Sequence, residues 1–342
     1  LRTPSKLTWE MLTLKLRNPF RLSYGVSEER QAYWIRLQDD SGWGEGTIPP
    51  YYRVDASAMT DYWAQAAANP AALPDDPADF AAFVGSTGPA PARCAVDLAL
   101  YDRLGKRLGQ PLYRLLGLPQ PQPQPTSFTI AIDTPEAMAH MAQQIASYPI
   151  IKIKLGSDDD RARLAAIRAA RPDARLRVDA NAGWSRAEAQ TRLEELLPFD
   201  LEMIEQPLAK EDIEGMGLLQ ATCPIPIVAD ESVQTLEDVE HLARAGVHGI
   251  NLKLMKIGGL TPALVLLRRA QELGLRIMLG CMIETSIGTT AMAHLAGAAE
   301  WLDLDAPMLI SNDPFDGVQF DPQATLSVPE RAGIGAILKE TK

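Results

Sequence analysis

Two lysines two residues apart, Lys152 and Lys154, interrupt the apolar run Ile150-Ile151-Lys152-Ile153-Lys154. On an extended strand both side chains leave one face, and Ile151 and Ile153 leave the other. Burying two like charges side by side is costly, so such a pair is rarely there for packing. Mutual repulsion and a nearby metal would lower at least one of their pKa values toward neutrality, which turns an ammonium into a general base. Three acids close later apolar runs: Asp179 after Leu176-Arg177-Val178, Glu205 after Met203-Ile204, and Asp230 after Ile227-Val228-Ala229. On neighbouring strands ~5 Å apart, these carboxylates repel one another unless a cation sits among them. All-oxygen ligands select a hard divalent ion, and a small ligand set with room for water and substrate suits one Mg2+ per subunit. One acid of this kind reads as a solvated loop residue; three in register read as a metal site. Lys253 ends a further run, Ile250-Asn251-Leu252-Lys253, and would face the first lysine pair across the metal. Two bases so placed attack opposite faces of one carbon. Lys256, further into the loop, is the better candidate for an ordinary surface lysine.

These residues need a scaffold that brings strand ends together. Eight short apolar strands, centred near Ile130, Lys152, Val178, Ile204, Val228, Leu252, Met278 and Leu304, recur at intervals of 22 to 26 residues. Amphipathic helices such as Asp159 to Ala170 and Ser185 to Leu197 fill the gaps. This is the α/β pattern of a (β/α)8-type barrel of ~200–250 residues, whose chemistry gathers at the C-terminal strand ends. A doubly wound sheet would carry a Gly-rich phosphate turn after its first strand, and none follows Ile130. Ahead of the barrel the chain reads as α+β. Strands are expected at Leu7 to Leu16 and Tyr33 to Leu37, with a turn and short strand at Ser41 to Gly46. Helices are expected at Ala56 to Ala68 and at Ala90 to Leu108, the latter stopped by Gly109 and Pro111. Alternating prolines from Pro119 to Pro125 favour an extended linker. The division expected is an N-terminal α+β capping domain at 1–120, a catalytic barrel at 121–313, and a tail at 314–342 that packs back on the capping domain.

Composition narrows the partners. Apolar residues are 46% and charged residues 23% of 342, and 33 Lys+Arg against 44 Asp+Glu give a net charge of −11. That charge disfavours nucleic acid and anionic membrane surfaces, leaving a small molecule as the expected partner. Cys94, Cys223 and Cys281 lack CxxC spacing, which argues against a disulfide framework or thiolate zinc site. The first residues lack the apolar run of a signal peptide, so a reducing cytoplasmic setting is expected. Apolar outer helices such as Ala263 to Leu273 leave room for a homo-oligomer.

The eighth strand adds Asp303-Leu304-Asp305, two acids on one face. Two inward carboxylates beyond the metal site call for a cation, and a substrate ammonium is the obvious one.

Together the motifs Lys152-Ile-Lys154, Asp179-Ala-Asn181, Glu205-Gln-Pro207, Ala229-Asp-Glu-Ser232 and Asn251-Leu-Lys253-Leu-Met-Lys256-Ile-Gly-Gly259 resemble the enolase superfamily, in its muconate lactonizing enzyme subgroup. They cover most of the barrel and arrive in the matching order. The resemblance implies that Asp179, Glu205 and Asp230 ligate Mg2+ and that the metal stabilises the enediolate left when an α-proton departs. It implies Lys154 and Lys253 as the acid/base pair, Lys152 as a partner of the enolate charge, and Asn181 and Glu231 as supports of the ligands. Turns at Trp43 to Tyr52 and Phe20 to Ser27 would close over the substrate. Asp303 and Asp305, with Glu284 and Ser286 in Cys281-Met-Ile-Glu-Thr-Ser286, look like the dipeptide epimerase branch, which inverts the α-carbon of the C-terminal residue by a two-base 1,1-proton transfer. The branch acting on Ala-Glu carries a base in its capping loop, where this chain has Tyr24 or Gly25, so the side chains accepted stay open, with Tyr24 as a substrate contact. Cycloisomerase, o-succinylbenzoate synthase and N-acylamino acid racemase chemistry remain as alternatives at the same site. A Schiff-base aldolase using Lys253 and a non-catalytic ligand-binding barrel are the more distant ones.

Overall fold

A computed structural model describes residues 6–23 and 25–340. It begins with an antiparallel hairpin, Leu7–Leu22 against Gly25–Leu37, joined by a third strand, Trp43–Thr47. The first strand runs past Leu16, where the alternation of polar and apolar residues stops. The pairing shifts register between Lys15 and Phe20 and then resumes. Pro19, which has no N–H to give to the ladder, lies in that shift. The helix Ala90–Leu108 packs against the third strand so closely that a Cβ on Gly44 would lie 1.9 Å from the Ala95 carbonyl oxygen. It ends at Gly109 in the left-handed conformation, φ 64°, as a glycine allows.

From Phe128 to Asp303 the chain builds an eight-stranded parallel sheet with neighbours in sequence order. Its strands are Phe128–Ile130, Ile150–Lys154, Arg175–Asp179, Leu201–Glu205, Ile227–Ala229, Gly249–Leu252, Arg276–Gly280 and Trp301–Asp303. The last stops one residue short of Leu304. Across the seam between the first and eighth strands, the Ser127 N–H donates to the Leu302 carbonyl at 3.1 Å, and the Leu304 N–H donates to Thr126 Oγ1 at 2.8 Å. Single hydrogen bonds of this kind draw the sheet into a nearly closed barrel. Helices lie outside it: Leu236–Ala245, for example, starts at a reciprocal Thr235/Asp238 capping box and stops at Gly246. The fold is thus the α/β barrel with a capping sheet domain.

The last residues form no further βα unit. Phe315–Asp316 pairs with Ile337–Leu338, and Gln319–Phe320 pairs with Thr325–Ser327, which in turn pairs with linker residues Gln124–Pro125. Phe315 meets Trp34 and Trp43 edge-on at 5.3 and 5.5 Å. The Ile334 N–H donates to Asp102 of the long cap helix at 2.8 Å. The buried His294 ring sits at this junction, facing the Tyr113 N–H at 3.3 Å and the Ile334 carbonyl at 2.9 Å. Among the described residues the three cysteines are unpaired, and no helix is long and apolar enough to cross a membrane.

Candidate active site

Asp179 and Glu205 end the third and fourth strands and stand opposite each other in register. Asp230 directly follows the fifth. All are buried, and one carboxylate oxygen from each lies within 4.8 Å of the others. Neighbours aim them. The Asn181 N–H donates to Asp179 at 2.8 Å from a backbone with φ 43°, a left-handed conformation that Asn tolerates. The Asn251 amide donates to Glu205 Oε1 at 2.9 Å, and Gln206 Oε1 accepts the Asp230 N–H at 2.8 Å. Asn181 also donates to Glu231 at 3.2 Å. Crowding shows in the titration. Burial, then the Asp179 charge, push the Glu205 carboxyl up to about 8. A buried, all-oxygen, mutually repelling donor set fits a hard divalent cation such as Mg2+.

Four lysines surround these acids. Lys152 Nζ lies 2.7 Å from Glu205, 3.0 Å from Asp179 and 2.7 Å from Asp303. Lys154 reaches Asp179 Oδ2 at 2.7 Å, and Lys253 reaches Asp230 Oδ2 at 2.7 Å. The two approach the triad through different ligands, from the second strand and from the end of the sixth. Gly280 on the seventh strand makes room for the second of them: a Cβ there would lie 2.8 Å from Lys253 Cε. The fall expected of at least one of Lys152 and Lys154 is not seen at Lys152, and Lys253 is likewise raised. Burial opposes their charge, but Asp303, Glu205 and Asp179 hold Lys152, and Asp230 holds Lys253, well above the ordinary ammonium value. A fall would require those carboxylates to be engaged elsewhere. Burial instead brings down Lys256, which is no surface residue. A short helical turn after Lys253 folds it back, so that its ammonium meets Asp230 Oδ1 at 2.6 Å and the Asn251 carbonyl at 3.0 Å. Burial would raise the Asp179 carboxyl, yet Lys154 and Lys152 outweigh it and hold it at about 2.

A cavity of about 80 Å³ opens above these groups. Lys152, Lys154, Lys253, Asn181, Asp230, Glu231, Asp303 and Asp305 form its barrel side, and Phe20, Leu22 and Ile48 to Tyr52 of the capping domain its roof. Asp303 accepts from the Ser127 hydroxyl at 2.6 Å as well as from Lys152. Asp305 accepts the Thr129 N–H at 2.7 Å, and burial beside Asp303 pushes its carboxyl up to about 6. Glu284 and Ser286 do not line this cavity. Glu284 is buried near Glu45, which with burial raises its carboxyl well above the ordinary range, and Ser286 donates to Asp313 at 2.6 Å. Tyr24 lies outside the described residues. Three cavity residues went unread in the sequence. Arg30 falls on the inward face by alternation from buried Ala32, a signal that was present; Thr129 and Leu309 carry no such signal.

The N-terminal domain of mandelate racemase / muconate lactonizing enzyme matches residues 8–117, and an enolase C-terminal domain-like family matches residues 136–342. An L-Ala-D/L-Glu epimerase of Bacteroides thetaiotaomicron is 34% identical over 338 residues, covering 97% of this chain and 88% of that one. An L-Ala-D/L-amino acid epimerase of Maribacter is 34% identical over 342 residues, covering 98% and 100%. A dipeptide epimerase from Enterococcus faecalis, solved with Mg and L-Leu-L-Tyr, superposes with a TM-score of 0.90 at 30% identity, covering 97% of this chain and 99% of that one.

Proposed function

The chain belongs to the mandelate racemase / muconate lactonizing enzyme family of the enolase superfamily, and on that premise we propose that it is a Mg2+-dependent dipeptide epimerase. The reaction is a 1,1-proton transfer that inverts the α-carbon of the C-terminal residue. Asp179, Glu205 and Asp230 hold the metal. When bound, Mg2+ would supply Lewis acidity beside the substrate carboxylate and so acidify the neighbouring α-proton. Lys154 removes or returns the proton on one face of the carbon and Lys253 does so on the other, which is why they stand on different strands against different acids. Lys152 offsets the negative charge that develops in the substrate carboxylate. Asn181 and Glu231 support the ligand geometry. Asp303 and Asp305 receive the free ammonium of the N-terminal residue, and the capping residues from Ile48 to Tyr52 exclude water above the reacting carbon.

The observation that carries the dipeptide is the pair Asp303 and Asp305 on the cavity wall beside the lysines. Two buried carboxylates there need a cation, and a free amino group supplies it. A second reading, racemisation of an N-acylated amino acid, draws on the contact of Asp303 with Lys152, which already gives one of the two acids a partner. The test is α-proton exchange in D₂O with Mg2+ and pooled L,L-dipeptides, read by mass and by chiral analysis. Dipeptides that gain one deuterium and invert at the C-terminal residue support the epimerase, and the D303N/D305N double variant then loses that activity by two orders of magnitude or more. Exchange confined to acylated amino acids, surviving in the double variant, overturns the dipeptide reading in favour of the second.

A further inference from the structure

A second cavity of about 430 Å³ lies against the first, and the two share Phe20, Thr129 and Leu309 as common walls. The first, at about 80 Å³, falls below the ~300–1,000 Å³ usual for small-molecule sites. The second cavity offers further room beside it. The second cavity is built from segments distant in sequence: the capping strand at Leu16 to Phe20, the first barrel strand and the helix Pro135–Gln144 after it, and the short helix Ala306–Leu309. Its walls are mostly apolar, including Phe128, Ile130, Met138, Met141, Met308 and Leu309. Arg17, Asp133 and His140 also border it.

Its position relative to Asp305 gives it a meaning. Thr129 donates its backbone N–H to Asp305 at 2.7 Å and forms part of both cavities. An ammonium held by Asp305 therefore lies next to the shared wall. The side chain on the carbon that bears this ammonium is the substrate group nearest that shared wall of Phe20, Thr129 and Leu309.

Resting on the epimerase reading, we propose that this second cavity is the subsite for the N-terminal side chain of the dipeptide, and that it selects large apolar side chains. Three methionines line it, and their flexible thioethers adapt to several shapes. The subsite accordingly takes a class, Leu, Met and Phe, in preference to Ala or Gly.

The experiment compares L-Leu-L-Ala, L-Met-L-Ala and L-Phe-L-Ala with L-Ala-L-Ala and Gly-L-Ala, all sharing the reacting residue, by deuterium incorporation with Mg2+. Wild-type protein is expected to favour the large N-terminal residues in kcat/KM by about tenfold or more, the scale of apolar pocket discrimination. Ala137→Trp and Met141→Trp fill the cavity from two positions on one helix, so that one misfolded variant does not remove the test. Each should reverse or abolish that ratio, chiefly through KM. A wild-type ratio near one, or a ratio unmoved in a folded Trp variant, overturns the subsite while leaving the epimerase reading in place. Failure of every dipeptide to exchange overturns both.

Discussion

The inside of the barrel has two layers, and the same strands build both. In the lower layer Met203, Val228, Met278 and Trp301 pack as a separate apolar cluster. Arg177, equally buried, has its charge answered by Glu202 at 2.6 Å and its N–H by the Leu302 carbonyl at 2.8 Å. Two residues further along, the strands present Asp179, Glu205, Asp230, Gly280 and Asp303. A period of two returns each side chain to the same face, so one strand carries a packing residue and a chemical residue in succession. Below, the polar groups satisfy one another. Above, three acids crowd one point, and the lysines around them are held by the carboxylates proposed to take a metal and a substrate. The difference separates what keeps the barrel folded from what makes it react.

The largest expected effect breaks the upper layer alone. Lys154→Met or Lys253→Met should each lower epimerisation by about 10²–10⁴-fold per folded molecule. Each should also leave one-sided exchange, in which one epimer of the substrate gains deuterium without inverting. Loss of exchange on both epimers would contradict a two-base division. Next comes the boundary of the layer. Gly280→Ala brings a methyl group against Lys253 and Asn251, and a displaced base costs about 10²-fold. The loss should fall harder on the direction that uses Lys253. In the lower layer Arg177→Met should cost about 3–5 kcal/mol of stability in a denaturant titration and leave turnover per folded molecule within severalfold. A turnover loss like that of the lysine variants would erase the distinction.

Outside both layers, burial holds the His294 ring down at about 4, against ~6.5 unfolded. The folded ring stays neutral where the unfolded one binds a proton. Its contribution is whole above pH ~6.5 and fades as pH falls toward 4, by roughly 3 kcal/mol in all. His294→Gln should flatten the stability curve in that window, and an unchanged slope would place the acid sensitivity in the barrel instead.

Much of this was legible in the sequence because strand ends are local objects. Ile150 to Lys154 and Arg175–Asp179 each show their alternation within a few residues, the helix Ala56–Ala68 shows in its run of alanines, and the end of Ala90–Leu108 followed from Gly109 and Pro111. What escaped depends on chain that returns from elsewhere. Lys256 looks like a loop lysine until a helical turn carries it onto Asp230. Glu284 and Ser286 belong to the expected motif, but capping residue Glu45 and tail residue Asp313 claim that loop. Glu45 accepts the Thr285 N–H at 2.8 Å, and Asp313 takes the Ser286 hydroxyl. The second cavity has no signal at all in one dimension, since its walls come from three distant segments.

The strand pairings at the two ends of the chain also bear on when the molecule becomes competent during synthesis. Leu16 bridges to Ile310, Asn312 binds the Lys15 N–H and the Thr13 carbonyl, and the linker at Gln124–Pro125 finds its partner only at Thr325 and Leu326. Contacts so far apart in sequence form late, and a chain emerging N-terminus first cannot make these before residues 310–326 have left the ribosome. The capping hairpin precedes the barrel in the chain, yet part of its pairing waits for residues 310–312. A nascent chain therefore carries Asp179, Glu205 and Asp230 before the residues that pair with the capping strand at Thr13 to Leu16 have been made.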